Sequence, residues 1–199
     1  RTVAPRRVTG STLIAVLRGL APLWLCLTVL CHAANAAQLE ANPVQVENAL
    51  PGTSGWVLND PARAHEIEGY ASLTSVELGG QIAFHVSTID PSYRIDNYRM
   101  GWYAGLGARQ LLGGIQLPGL RQAIPTPDAT TGLIECDWTS QYALTIPADW
   151  VSGVHLAKLT GSSGKQSYII FVVRDDDRVS DFLFVSSVNT FQAYNNWGG

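Results

Sequence analysis

Cysteine, methionine and charge are all scarce in these 199 residues: three Cys, one Met, and 15% charged side chains. Cys26 and Cys31 lie within the first 37 residues, which leaves Cys136 alone beyond them. A disulfide framework within the rest of the chain is thereby excluded. Cys136 is then either a free or externally paired thiol, or a small buried side chain acting as a hydrophobe. No HExxH, GxSxG or phosphate-binding loop occurs, so the common metalloprotease, serine-hydrolase and nucleotide-binding signatures are missing. The histidines beyond residue 37 (His65, His85 and His155) have no carboxylate or second histidine at metal-ligand spacing and read as surface residues. Sustained helical periodicity is also lacking.

What is present starts with an unusual leader. Residues 1–37 hold Arg1, Arg6, Arg7 and Arg18 but no acidic residue. An apolar run from Leu20 to Leu30 leads to Ala33-Ala34-Asn35-Ala36-Ala37. A basic end, a short apolar centre and an A-x-A site predict a secretory signal peptide, cut after Ala36 or Ala37. The run is well short of the roughly 20 residues that span a bilayer, so the mature chain is expected to be exported without a transmembrane helix. Bulky Leu30 before Cys31 argues against a lipoprotein site. Of thirteen basic residues the leader takes four, leaving nine against sixteen acidic ones, a net charge of about −7 with histidine neutral. Such a surface repels phosphate backbones and makes a nucleic-acid partner unexpected.

Residues 38–61 read as an extended lead-in, and residues 62–174 as a run of short strands divided by Gly and Pro turns. Ile82, Phe84 and Val86 alternate with Ala83, His85 and Ser87, the period of a half-buried strand. Further strand signals cover Tyr93 to Tyr103, Gln110 to Ile115, Gly132 to Trp138, Gln141 to Ile146, Gly153 to Leu159 and Tyr168 to Val173. The last is nearly all apolar and reads as buried on both faces. About seven such strands predict an immunoglobulin-like β-sandwich, its core built from Trp102, Trp138, Trp150, Phe84 and Tyr93.

Residues 175–180 read as a charged linker, with Asp175, Asp176 and Asp177 lacking the spacing of a calcium loop. In residues 181–199 an apolar strand, Phe182 to Val185, passes through a polar turn into a helix start. That order predicts the opening of a truncated α/β domain. Ligands in such folds gather at the carboxyl ends of strands, here Ser186 to Asn196.

Four separated stretches carry a family resemblance. They are Ile67-Glu68-Gly69-Tyr70-Ala71-Ser72, Tyr98-Arg99-Met100-Gly101-Trp102-Tyr103, Cys136-Asp137-Trp138-Thr139-Ser140 with Pro147 to Gly153, and Thr190-Phe191-Gln192-Ala193-Tyr194-Asn195-Asn196-Trp197-Gly198-Gly199. From about residue 48 onward the chain resembles proteins similar to the large subunit of N,N-dimethylformamidase. The resemblance implies an amidotransferase-like α/β domain, hydrolysis of a small amide, and an iron ion held by two tyrosines and a glutamate. A hard cation suits oxygen ligands and polarises an amide carbonyl. Tyr194 is the ligand it nominates, with Gln192 and Asn195 as orienting neighbours; the other two ligands are expected beyond Gly199, which would leave this stretch inactive alone. The rival reading is a cell-surface binding module for glycan, peptide or protein, with a non-catalytic α/β domain.

Overall fold

A computed structural model describes residues 42–180, 182–195 and 197. The leader, with its signal-peptide reading, lies outside the described residues, and the unit considered below begins at Pro43. Among the described residues no helix is long and apolar enough to cross a membrane.

The unit is mainly β. A short helix, α1 (Pro43–Asn48), precedes eight strands: β1 (Ile67–Ala71), β2 (Ser75–Glu77), β3 (Gln81–Thr88), β4 (Ser92–Met100), β5 (Ala108–Pro118), β6 (Ser140–Thr145), β7 (Gly153–Gly161) and β8 (Gln166–Arg174). A second helix, α2 (Val188–Ala193), follows. The strands form two sheets, ordered β1-β3-β6 and β2-β8-β7-β4-β5. All pairings are antiparallel except β2 with β8.

Alternation decides which side chains enter the core. Ile82, Phe84 and Val86 of β3 are fully buried, as the period-two pattern predicts. They meet Ile95 of β4, Leu159 of β7 and Phe171 of β8 in one apolar cluster. Phe84 and Phe171, from opposite sheets, stand 5.5 Å apart, so the sheets pack face to face. Strand β1 contributes Ile67 and Gly69 to the same side. A Cβ on Gly69 would lie 2.7 Å from the His85 carbonyl and 2.9 Å from Ile169 Cδ1. Glycine is therefore required by the close approach of the neighbouring β3 backbone and of Ile169 from the other sheet, not by its backbone angles. Gly69→Ala is expected to cost about 2 kcal/mol, the range for overpacking a filled core, measured as a fall in the urea midpoint.

Several expectations are corrected. Residues 38–61 are not wholly extended, because α1 forms within them. Gly132 to Trp138 is irregular, not a strand. Its backbone is satisfied by side chains instead of a ladder: Tyr70 Oη accepts from Trp138 N at 3.0 Å, and His85 Nδ1 donates to the Trp138 carbonyl. Phe182 to Val185 is irregular too, with exposures of 93, 89, 71 and 74%; no strand lies beside it among the described residues. Tyr168 to Val173 is buried on one face only, since Ile170 is exposed. Trp102, expected in the core, is 71% exposed. His155, expected at the surface, is fully buried between Trp150 and Phe171. His85 is half-buried and stacks flat on Tyr70 at 4.7 Å.

Trp102 leaves the core because its neighbours serve a polar anchor. Arg99, 3% exposed, donates to Tyr103 Oη and to the carbonyls of Val151 and Ser152. Tyr103 Oη donates in turn to Glu47 of α1 at 2.7 Å, and Arg109 grips both oxygens of the same carboxylate at 2.7 and 2.9 Å. The Trp102 backbone N–H donates to Asn48 Oδ1. The aromatic-rich segment that resembled core thus straps α1 to the end of the larger sheet.

Candidate functional site

The outward residues of β1 are Glu68 and Tyr70, opposite in direction to Ile67 and Gly69. They form one wall of a cavity of about 510 Å³. Ile134, Glu135, Cys136 and Trp138 of the irregular segment form a second wall, and Gln192, Asn195 and Trp197 a third. Three stretches far apart in the chain therefore close around one space. Each coincides with a motif singled out in the sequence.

Two hydrogen-bonded links hold the walls together. Tyr70 Oη donates to the Cys136 carbonyl at 3.2 Å while accepting from Trp138 N. Trp197 Nε1 donates to Glu68 Oε2 at 3.0 Å, and the Trp197 and Trp138 rings meet edge to face at 5.8 Å. His65 Nδ1 donates to the same Oε2 at 2.7 Å. Trp138 is itself fixed from behind, its Nε1 donating to the Ala123 carbonyl at 2.8 Å.

The chemistry of the walls is informative. Burial, followed by the charges of Glu68 and Asp137, pushes the Cys136 thiol above its usual range. It is a protonated thiol at neutral pH, without the cationic neighbour that activates nucleophilic cysteines. Burial also pushes the Tyr70 phenol up, so it stays a neutral donor and acceptor. Cys136 is a free thiol, half-buried in the cavity wall and not sealed in the core.

Of the residues nominated in the tail, Gln192 and Asn195 line the cavity, whereas Tyr194 does not and is 86% exposed. The described residues contain no group of three His, Cys, Asp or Glu side chains arranged to hold a metal ion. Tyr194 offers one phenol oxygen, a hard donor of the kind iron accepts. Glu68 and Tyr70 were not nominated as site residues. The signal was available, since both sit at alternating positions in a β1 motif whose other face carries a glycine.

Residues 94–199 match the family model described as "N,N-dimethylformamidase beta subunit-like, C-terminal". No curated protein matches the chain.

Proposed function

Because the chain belongs to the N,N-dimethylformamidase beta subunit-like family, we propose that it forms part of an exported, metal-assisted hydrolase acting on the C–N bond of small linear amides. The observation that carries this reading is the convergence of three separated motifs on one cavity that presents two carboxamides, Gln192 and Asn195. Carboxamides offer both a donor and an acceptor, the complement of an amide ligand. In this reading the two-sheet body is an immunoglobulin-like sandwich that scaffolds the site. The residues from Phe182 onward open an amidotransferase-like α/β domain. The exposed apolar run Phe182 to Val185 supports that, since such a run is stable only when covered.

Iron is the cofactor of this reading, with Tyr194 as one oxygen donor and Gln192 and Asn195 orienting groups near it. No hydrolytic step is assigned to the described residues. Metal analysis of the secreted full-length protein tests the assignment. Stoichiometric iron is expected in the wild type and its loss in Tyr194→Phe, with circular dichroism unchanged. Iron retained by the variant would remove Tyr194 from the ligand set.

A second reading, a binding module for glycan, peptide or protein with a non-catalytic α/β domain, is favoured by one observation: Trp102 of the two-sheet body is 71% exposed. Absence of iron from a folded wild-type protein, together with no amide turnover, would select it.

A further inference from the structure

The cavity is acidic and aromatic together. Glu68 and Glu135 contribute two carboxylates, and Tyr70, Trp138 and Trp197 contribute three rings; among the described residues no lysine or arginine lines it. Both neighbours of Glu68 bind the same oxygen, Oε2, so Oε1 has no hydrogen-bond partner among the described residues. The edge-to-face contact of Trp138 and Trp197, at 79°, makes an aromatic corner beside that carboxylate. The carboxamides alone would serve a neutral amide, whereas the two carboxylates add attraction for a positive charge and would repel an anion. Aromatic faces next to carboxylates are the combination that stabilises an organic cation: the ring quadrupole attracts its methyl surface and the carboxylate its charge. At about 510 Å³ the space is within the range of small-ligand sites.

We propose that this cavity binds a small organic cation, an alkylated ammonium group, seated among Tyr70, Trp138 and Trp197 and facing Glu68. The proposal concerns the same cavity as the hydrolase reading but rests on its carboxylates and rings, and its test needs neither a metal nor turnover. Its wall of β1 side chains and its Trp138 corner belong to the two-sheet body, while Trp197 closes it.

The test titrates tetramethylammonium into the full chain, followed by calorimetry and tryptophan fluorescence. Neopentyl alcohol, a neutral molecule of nearly the same shape, and acetate are the comparison ligands. Saturable binding of tetramethylammonium is expected, about tenfold or more tighter than neopentyl alcohol, with none for acetate. Glu68→Gln, which keeps the shape of an outward strand residue, is expected to weaken the cation about tenfold while leaving the neutral ligand unchanged. Trp197→Ala is expected to weaken it as well. Near-UV circular dichroism identifies any variant that has not folded, and the ligand comparison on the unaltered chain needs no variant. Equal binding of the neutral molecule, no binding of the cation, or undiminished binding by folded Glu68→Gln would each overturn the proposal.

Discussion

Glu47→Ala is expected to lower stability by about 3 kcal/mol, the lower end of the cost of breaking a buried ion pair by removing one partner. The lower end applies because Arg109 keeps 30% of its side chain exposed, whereas the Glu47 side chain is only 6% exposed. Removing the carboxylate leaves the Arg109 fork and the Tyr103 hydroxyl without their acceptor. Tyr103 is fully buried, so water cannot easily replace the lost partner. Anchorage of α1 then falls to the Asn48 contact with Trp102 and local packing. Burial by itself would raise the Glu47 carboxyl, but the hydrogen bonds from Arg109 and Tyr103 and the nearby cations outweigh it and hold it below 4.5. A carboxylate depressed in the folded state contributes stability that is complete above its unfolded value and lost as pH falls through the folded one. Urea unfolding at pH 7 measures the main effect. Repeating it below pH 4.5 should show the gap between wild type and Glu47→Ala narrowing. A gap that stays constant there would mean the carboxylate charge contributes little.

The second large effect belongs to His155 and appears at higher pH. Its ring lies flat against Trp150 at 5.2 Å and touches Phe171, and burial pushes its pKa down to about 4. Nε2 donates weakly to the Val151 carbonyl at 3.4 Å, while Nδ1 has no partner. The fold therefore holds the neutral ring, and an unfolded chain that protonates near 6.5 gains an advantage in acid. The stability associated with neutral His155 is complete above pH 6.5, falls as pH drops, and is gone below about 4. That interval corresponds to about 3 kcal/mol. His155→Phe keeps an aromatic ring in the stack, and Val151 retains its bond from Arg99. Denaturant unfolding between pH 7 and 4 should therefore show a much flatter acid limb in the variant. Parallel limbs would mean that other groups govern acid unfolding in this window.

The two residues illustrate how far single positions could be interpreted in advance. His155 sits in a strand whose pattern is right, yet exposure was the natural expectation for a histidine lacking a partner in sequence. Only the stacking of Trp150 and Phe171 from different elements shows that the ring is used as an aromatic wall. Glu47 was part of a lead-in without period, and its partners Tyr103 and Arg109 lie 56 and 62 residues away.

Local pattern alone determined that the chain is mainly β. The alternation of Ile82, Phe84 and Val86 and the glycine- and proline-marked turns depend on neighbours two to four residues apart, a range that side-chain direction along a strand makes readable. The motifs also pointed to the family, and to Gln192 and Asn195 as residues near a site. Tertiary structure decided the rest. Which oxygen of Glu68 takes the bond from Trp197, why Gly69 admits no Cβ, and why Trp138 needs no strand neighbour are all set by contacts across 15 to 129 residues of chain. Burial and hydrogen bonding at such separations depend on which surfaces meet when the sheets pack, and a linear pattern carries no record of that meeting.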